Sequence, residues 1–224
     1  MSREITVALA GNPNSGKTTV FNNVTGSRQH VGNWPGVTVE KREGNRTYDG
    51  YTMKVVDLPG VYSLTAYSMD EIVARNFIVD EKPDVVVDVV DASNIERNLY
   101  LTVQLLETET PLVVALNMMD EARSRGYDIN VKQLSKLLGA PVVPMVASRN
   151  RGTEELLDKI ISVVDDTFQM ERPRVEYGRE IEEEIANLEG LISQDPGLSA
   201  KYSPRWLAMK LLEEDEEVIK KVRE

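Results

Sequence analysis

The stretch GNPNSGKT, residues 11–18, matches the phosphate-binding pattern G-x-x-x-x-G-K-[ST] in full. It follows the strand-like run ITVALAG and precedes a helical pattern, which is the context that this motif requires. Glycines let backbone N–H groups surround a β-phosphate, and the N-terminus of the following helix adds its dipole. We predict that Lys17 reaches the β- and γ-phosphate oxygens and that Thr18 ligates Mg²⁺. The predicted nucleotide contacts of this loop are Gly11, Asn12, Pro13, Asn14, Ser15, Gly16, Lys17, Thr18 and Thr19.

A second short motif, DLPG at residues 57–60, ends another apolar run. At the end of a strand, Asp57 can hold Mg²⁺ through a water molecule, and the amide of Gly60 can meet a γ-phosphate. The next residue is Val61, whereas Ras-like enzymes place there a glutamine that orients the attacking water. An apolar side chain cannot orient water by hydrogen bonding, so we expect slow intrinsic turnover.

Two further motifs choose among nucleotides. NMMD, residues 117–120, ends a strand-like run, and Asp120 can accept hydrogen bonds from guanine N1–H and N2–H₂, which adenine does not offer. Asn117 is predicted to tie this loop to the phosphate loop, and the aliphatic stem of Met118 to pack on the guanine face. ASR, residues 147–149, ends the last strand-like run, where the Ser148 amide can meet guanine O6. The predicted contacts to the base are Asn117, Met118, Asp120, Ala147, Ser148 and Arg149.

These motifs need a sheet that gathers them at one edge, and the hydropathy pattern predicts one. Five Val-rich, nearly continuous runs are typical of parallel strands buried on both faces: 5–11, 51–60, 84–92, 111–120 and 140–148. Patterns with apolar residues at i, i+3 and i+4 predict helices between them, at 16–26, 68–81, 94–109, 130–139 and 152–168. This alternation predicts a three-layer α/β sandwich of the P-loop NTPase class, which binds ligands beyond the carboxyl ends of its strands. The four motifs lie at those ends, in the order found in small GTPase domains.

One connection breaks the alternation of strands and helices. Residues 37–57 carry two strand patterns separated by Asp49-Gly50, a dipeptide that favours a type I′ hairpin turn. We therefore expect a mostly parallel sheet of six to seven strands in which one strand joins antiparallel at the edge. The stretch HVGNWPG before it, residues 30–36, is rich in Gly and Pro and is predicted to be an irregular loop.

The pattern changes near residue 170, beyond which no strand-like run follows. Helical patterns cover 179–193, 203–213 and 215–224, with a predicted turn at Asp195-Pro196-Gly197 between the first two. We predict two domains, a nucleotide-binding domain at 1–168 and a small all-α domain at 169–224. Because the last pattern lacks a C-terminal cap, we expect the helical domain to be truncated at residue 224.

Composition excludes several classes of protein. The absence of cysteine removes disulfides, thiolate metal sites and Cys nucleophiles, and a single histidine argues against a His-rich metal site. The formal net charge of −11 argues against a nucleic-acid partner. No apolar run approaches the roughly 20 residues that span a bilayer, and the N-terminus lacks the pattern of a secretory signal. We expect a soluble chain from a reducing compartment.

At the level of longer stretches, the chain resembles the cytoplasmic N-terminal GTPase domain of the prokaryotic ferrous iron transport protein B family, FeoB. The resemblance covers about residues 3–168 and rests on GNPNSGKTTVFN, VGNWPGVTVEK, VVDLPGVYSLTAYSMDE, and NMMD with ASRNRG. NWPGVTVE and DLPGVYSL are far more specific than the generic GTPase motifs. The region after residue 169 resembles the family's guanine-nucleotide-dissociation-inhibitor (GDI) helical domain, on helical pattern and position alone.

The resemblance implies GTP hydrolysis in the service of Fe²⁺ uptake, at the cytoplasmic face of the inner membrane. The implied partners are guanine nucleotide, a transmembrane transporter domain of the same full-length chain, a small accessory protein of iron uptake, and further copies of the chain. The implied cofactors are Mg²⁺ and K⁺, besides GTP and GDP. The K⁺ ion takes the place of an arginine finger's charge, held by the side chain of Asn14 and the backbone carbonyls of Gly32 and Trp34.

The loop that carries these carbonyls also offers Thr38 as a second Mg²⁺ ligand, engaged only when a γ-phosphate is present. The predicted catalytic residues are Asn14, Lys17, Thr38 and Gly60. His30 is predicted to be an exposed loop residue outside the site. Asp70 and Glu71 are interpreted as the solvated start of a helix, with the ordering of water as the alternative. Whether the Trp34 ring caps the nucleotide or lies in solvent stays open.

Two other functions compete with a GTPase that gates a transporter. A soluble GTPase that acts on RNA or the ribosome shares the generic motifs, but it would normally add a basic RNA-binding module, and the helical region here is acidic. A nucleotide-sensing interaction module with negligible turnover is suggested by Val61. Steady-state phosphate release in K⁺ distinguishes that module from an enzyme.

Overall fold

The computed structural model describes residues 2–26, 29–168 and 173–223. Its strands are β1 (Arg3–Gly11), β2 (Gln29–Asn33), β3 (Glu40–Tyr48), β4 (Tyr51–Asp57), β5 (Val85–Asp91), β6 (Leu112–Asn117) and β7 (Val142–Pro144). They form one seven-stranded sheet in the order β2-β3-β4-β1-β5-β6-β7. The first six helices are α1 (Lys17–Thr25), α2 (Met69–Asp80), α3 (Ile95–Glu107), α4 (Met119–Ser124), α5 (Val131–Leu138) and α6 (Thr153–Val164). The last four are α7 (Arg179–Ser193), α8 (Pro196–Lys201), α9 (Pro204–Leu212) and α10 (Glu216–Arg223).

The sheet runs in one direction except at β3. Strands β4, β1, β5, β6 and β7 pair in parallel, and β3 pairs antiparallel with both β4 and β2. The predicted α/β class, the sheet of six to seven strands and the single reversed strand are confirmed. The reversed strand does not lie at the edge, however, because residues 29–33 add β2 outside it. The type I′ turn between β3 and β4 is present, since Asp49 and Gly50 have φ values of 43° and 79°.

Alternation along the strands divides the core between the two faces of the sheet. Ala8 and Ala10 of β1 pack with α2, α3, α4 and α5, whereas Val7 and Leu9 pack with α1 and α6. The result is three layers, with the five strands β4, β1, β5, β6 and β7 covered on both faces. Asp88 of β5 is a polar exception on the α3 side: it is 1% exposed and accepts a 2.5 Å hydrogen bond from the Thr102 hydroxyl.

The helices after residue 173 form a separate small core around Ile185, Tyr202 and Trp206. Val79 of α2 packs against this core, which fastens it to the nucleotide-binding part. A buried ion pair adds to the attachment, since Arg75 of α2 donates a 2.5 Å hydrogen bond to Asp215 and their side chains are 1% and 7% exposed.

In this helical region one sequence prediction is wrong and another stays a prediction. The turn predicted at Asp195-Pro196-Gly197 is instead the start of α8, where Asp195 caps the helix and Pro196 is its first residue. The proposed domain boundary lies between residues 168 and 169, and residue 169 is outside the described residues. Among the helices that the structure describes, none has both the length and the apolar character needed to cross a membrane.

Candidate functional site

The sheet topology gathers the four motifs at one edge. Gly11 ends β1, Asp57 ends the adjacent β4, and Asn117 ends β6. Ala147 begins a short 3₁₀ turn soon after β7, the neighbour of β6. Because all four strands are parallel, the loops that follow them leave the sheet on the same side. The edge is therefore the ligand-binding edge of a doubly wound sheet.

The phosphate-binding loop adopts backbone angles that its sequence allows. Gly16 has φ 85° and Asn14 has φ 66°, in the left-handed region that glycine and asparagine tolerate best. A Cβ on Gly16 would lie 2.3 Å from the side-chain nitrogen of Asn117. Glycine at position 16 is therefore required both by the backbone angle and by the closeness of the next loop.

Lys17 already has anionic and polar partners in this arrangement. Its ammonium group donates to the carboxylate of Asp57 and, at 2.5 Å, to the carbonyl of Leu58. Thr18, the predicted Mg²⁺ ligand, is exposed at the start of α1. The two predicted Mg²⁺-binding motifs are thus in direct contact, and a phosphate that binds Lys17 takes the place of one of its present partners.

Gly60 lies against the phosphate-binding loop from the other side. A Cβ at Gly60 would lie 3.3 Å from the Cα of Pro13, and the amide of Val61 donates to the Gly11 carbonyl at 3.2 Å. The DLPG segment therefore contacts the loop through backbone. Val61 is 3% exposed and belongs to the apolar core, so its side chain is a packing group.

Asn117 connects three loops through one side chain. It donates to the Ser15 carbonyl at 2.9 Å and accepts from the Ala147 amide at 2.9 Å. Asn23 of α1, which sequence reasoning missed, donates to the Ala147 carbonyl at 2.8 Å. Nothing in the local pattern around Asn23 marks it, because its partner lies 124 residues away.

The predicted base contacts lie at the rim of this junction. Asp120 lies in the first turn of α4, and Arg149 approaches its carboxylate at 3.8 Å. Met118 precedes α4 with φ 60°, and its methyl carbon would lie 3.6 Å from a Cβ on Gly16. Ser148 is exposed in the 3₁₀ turn that Ala147 begins.

Buried polar atoms of the phosphate-binding loop point to a ligand. Asn12 is 3% exposed and Ser15 is 1% exposed, yet the Asn12 amide atoms and the Ser15 hydroxyl have no hydrogen-bond partner among the described residues. Leaving such groups unpaired is costly, and native proteins retain them mainly where function requires them. Together with the exposed hydroxyl of Thr18 and the carboxylate of Asp57, they form a donor set that suits a phosphate with a hard divalent cation.

The loop predicted to hold K⁺ and Mg²⁺ forms the end of a hairpin. Gly32 lies in β2 opposite Lys41, so it is in a strand and not in an irregular loop. The Trp34 amide donates to the Val39 carbonyl at 2.9 Å, and the Trp34 carbonyl accepts from the Val37 amide at 3.3 Å. Thr38 is exposed in this hairpin loop. Arg42 of β3 lies opposite Asp57, the last residue of β4, in the register of the sheet. The loop before β3 therefore lies at the same sheet edge as the phosphate-binding loop.

The Trp34 ring is buried in the apolar core. It is 9% exposed and meets the ring of Phe77 edge-on, with centroids 5.4 Å apart. The Lys41 ammonium lies 4.8 Å from the centre of the indole. The ring thus occupies a core position, and the reading that placed it in solvent is wrong.

The segment between Gly60 and α2 is held by its own hydrogen bonds. The Glu71 carboxylate accepts from the Ser63 hydroxyl at 2.7 Å and from the amides of Tyr67 and Ser68 at 3.0 and 3.1 Å. Ser68 and Glu71 form a capping box at the start of α2. The Glu71 carboxylate thus stabilises the conformation of the segment before α2. His30 is exposed as predicted, but it lies in strand β2 and not in a loop.

Comparisons with known proteins agree with this geometry. A family model described as "Ferrous iron transport protein B" matches residues 5–160, and one described as "FeoB cytosolic helical domain" matches residues 177–224. The chain is 44% identical over 219 residues to the Fe(2+) transporter FeoB of Escherichia coli, covering 95% of this chain and 27% of that protein. It is 44% identical over 216 residues to a FeoA/FeoB fusion protein of Porphyromonas gingivalis, covering 96% and 26%.

A solved structure of similar fold is the cytosolic domain of the T. maritima FeoB iron transporter in a GDP form. It superposes with a TM-score of 0.91 at 41% identity, covering 98% of this chain and 85% of that one. The chain spans about a quarter of the length of the curated relatives that it matches.

Proposed function

The chain belongs to the ferrous iron transport protein B family, FeoB, and from that premise we propose that it binds GTP and hydrolyses it to GDP and phosphate. One observation carries the proposal: Asn117 hydrogen-bonds to both the phosphate-binding loop and the loop of Ala147. A single side chain thereby sets the spacing between the phosphate contacts and the contacts to the base. In the reaction a water oxygen bonds to the γ-phosphorus, and the bond to the β–γ bridging oxygen breaks with its electron pair left on GDP.

Phosphate and Mg²⁺ are assigned to the loop after β1 and its neighbours. Lys17 exchanges its hydrogen bonds to Asp57 and Leu58 for β- and γ-phosphate oxygens. Thr18 and Thr38 would ligate Mg²⁺ directly and Asp57 through water, and the Gly60 amide donates to the γ-phosphate. The remaining contacts of this loop with the nucleotide are assigned to Gly11, Asn12, Pro13, Asn14, Ser15, Gly16 and Thr19.

The preference for guanine is assigned to the loops after β6 and β7. Asp120 accepts from N1–H and N2–H₂, and a nucleobase without these donors leaves a charged acceptor unpaired. Met118 packs on the base, and the Ser148 amide donates to O6. Arg149, which is 3.8 Å from Asp120, orients that carboxylate at the rim.

Slow intrinsic turnover follows from the burial of Val61, which leaves no side chain at that position to orient water. A K⁺ ion bound by Asn14 and the carbonyls of Gly32 and Trp34 would offset the charge that develops on the phosphoryl oxygens. Asn14 suits this role because it has a left-handed backbone conformation and an exposed side chain within the phosphate-binding loop.

We assign the activity to a module of a larger Fe²⁺ transporter. A nucleotide-binding domain at residues 1–168 and a helical domain at 169–224, resembling a GDI domain, would lie at the cytoplasmic face of the inner membrane. Support comes from the 27% of the E. coli transporter that the chain covers, which leaves room for a transmembrane part. The further partners proposed are a small accessory protein and other copies of the chain.

The direct test is steady-state phosphate release from GTP and ATP, each with Mg²⁺ in KCl and in NaCl. We expect hydrolysis of GTP, faster severalfold or more in KCl, and no hydrolysis of ATP above the level of a Lys17→Ala control. Equal rates with ATP would refute the base preference, and equal rates in the two salts would refute activation by K⁺. GTP binding without phosphate release above the control would make the chain a nucleotide sensor and refute the enzymatic proposal.

A further inference from the structure

The hairpin loop 34–39 is attached to the fold by one large side chain. Trp34 is 9% exposed, and its ring contacts Phe77 of α2 edge-on at 5.4 Å. Pro35, Gly36 and Thr38 are exposed, and Val37 and Val39 are only partly buried. The indole is therefore the main anchor that fixes this loop relative to the rest of the molecule.

The anchor point lies on the helix that follows the DLPG motif. Val61 and Leu64, between Gly60 and α2, are buried in the same core cluster as Trp34 and Phe77. The 34–39 loop and the segment after Gly60, which we both propose to contact the γ-phosphate, thus pack against the same apolar cluster. A shift of α2 moves the surface on which Trp34 lies, and a shift of the 34–39 loop moves a side chain packed against α2.

The backbone of Trp34 turns this packing into a constraint on the ion site. Its amide and its carbonyl are both hydrogen-bonded within the hairpin, at 2.9 and 3.3 Å. Gly36, with φ 75°, and Pro35 before it form a type II turn between Trp34 and Val37. The direction of the Trp34 carbonyl is consequently fixed by the turn, and the position of the turn is fixed by the ring.

Packing, and not a hydrogen bond, holds the ring. The indole nitrogen of Trp34 is buried without a hydrogen-bond partner among the residues that the structure describes. A buried donor without a partner is unfavourable, so the aromatic contact and the Lys41 ammonium 4.8 Å from the ring centre compensate for it. Removal of Phe77 should free the ring more readily than removal of one apolar neighbour of an ordinary core side chain.

We infer that Phe77 is a positioning residue for GTP hydrolysis, which acts through the Trp34 ring to aim the loop that carries Thr38 and the Trp34 carbonyl. The inference rests on the proposed function. It adds a residue of α2 that lies outside the set of residues assigned to nucleotide and cation.

The test compares Phe77→Ala with the wild type by three measurements. We expect kcat for GTP to fall, and the K⁺ concentration for half-maximal activation to rise, each about threefold to tenfold. Affinity for the non-hydrolysable analogue GMPPNP should fall by a similar factor, because Thr38 is engaged only with a γ-phosphate. Affinity for GDP should stay within about twofold, since the ring partner of Phe77 is Trp34, which lies outside the phosphate-binding loop and the guanine-binding motifs.

Ile78 provides the matched control. It is the next residue of α2, is 1% exposed and belongs to the same core cluster as Phe77, but the ring that meets Trp34 is that of Phe77, and Ile78 also lines the cleft with Tyr202 and Trp206. Ile78→Ala should lower the melting temperature at least as much as Phe77→Ala without changing the ratio of GMPPNP to GDP affinity. Phe77→Leu, which keeps apolar volume, should restore part of that ratio. If Phe77→Ala does not fold, Phe77→Leu carries the comparison with a smaller change in the same direction.

A double-mutant cycle tests whether Phe77 acts through Trp34. Trp34→Ala should reproduce the loss, and the Phe77→Ala/Trp34→Ala double variant should be no worse than the more affected single variant. Additive losses would overturn the inference, as would an unchanged GMPPNP to GDP ratio in Phe77→Ala. Equal wild-type rates in KCl and NaCl would refute only the K⁺ part of the proposed function, because the affinity ratio still decides the role of Phe77.

Discussion

Asn117 donates a side-chain hydrogen bond to the backbone carbonyl of Ser15, a residue 102 positions earlier in the chain. The bond has an ordinary length of 2.9 Å and is buried, since Asn117 is 3% exposed. It exists because β1 and β6 are parallel and separated in the sheet only by β5, so their following loops meet at one edge. The binding edge is thus pre-assembled by the fold.

Asn117→Ala should weaken nucleotide binding more than it weakens the fold. The substitution leaves the Ser15 carbonyl and the Ala147 amide without their partner, a loss of about 1–3 kcal/mol for buried groups. We expect the affinity for GDP to fall about tenfold to a hundredfold, measured by titration with a fluorescent GDP analogue. Asn23→Ala, which removes only the bond to the Ala147 carbonyl, is the control and should cost less. An unchanged GDP affinity in Asn117→Ala would show that the two loops are positioned independently.

Sequence patterns predicted the parallel sheet well because buried parallel strands carry continuous apolar runs. They missed β2 because all five of its residues are exposed, so that no continuous apolar run marks this strand. Asp195-Pro196-Gly197 was misassigned because Asp before Pro is a signal both for a turn and for the start of a helix. Local sequence does not separate those two outcomes.

In the candidate site too, some positions could be predicted from the sequence and others could not. Residues in contiguous motifs could be located from the sequence, since the phosphate-binding pattern fixes its own geometry. The Trp34 ring could not, because its partner Phe77 lies in another element and only the tertiary fold brings the two together. The partners of Lys17 were also beyond prediction, since the same side chain can serve Asp57 or a phosphate.

Val61→Gln should not create a faster enzyme. The Val61 side chain is 3% exposed within the core, so a glutamine amide there is buried or displaces the loop. Burial of an amide without a partner costs about 1–3 kcal/mol, which should appear as a lower urea midpoint of unfolding. Single-turnover hydrolysis in KCl should be no faster than in the wild type. Tyr62→Gln, at a neighbouring position that is 42% exposed, is the control and should cost less stability. A marked rise in the rate for Val61→Gln would mean that the side chain can reach the attacking water.

Asp88 should make the stability of the fold depend on pH. Burial raises the pKa of Asp88 to about 7, and the hydrogen bond from Thr102 opposes part of that rise. Because the folded-state pKa lies above the unfolded value, the folded chain keeps its proton between about pH 4 and pH 7 while the unfolded chain loses it. The contribution of Asp88 to stability is therefore greatest at low pH and falls as the pH rises toward 7.

Asp88→Asn removes this titration. The free energy of unfolding of the variant minus that of the wild type should increase from pH 4.5 to pH 7.5 by about 3 kcal/mol, at about 1.4 kcal/mol per pKa unit. Urea unfolding at a series of pH values gives the difference directly. Thr102→Val should extend the pH dependence to higher pH, because the hydrogen bond that lowers the pKa of Asp88 is lost. A difference that does not vary with pH would show that Asp88 titrates at an ordinary pKa.

Asn14→Gly isolates the proposed role of the Asn14 side chain in activation by K⁺. Asn14 has φ 66°, a conformation that glycine adopts without strain, so the backbone of the phosphate-binding loop should be retained. Only the exposed side chain, with its amide oxygen and nitrogen, is removed. We expect GTP hydrolysis in KCl to fall to the rate in NaCl, with the affinity for GDP within about threefold of the wild type. Asn14→Ala should lose the same activation and in addition show weaker GDP binding, since alanine is strained at that angle. Retention of K⁺ activation in Asn14→Gly would place the ion on backbone groups alone, and loss of GDP affinity in both variants would make Asn14 a residue of loop geometry.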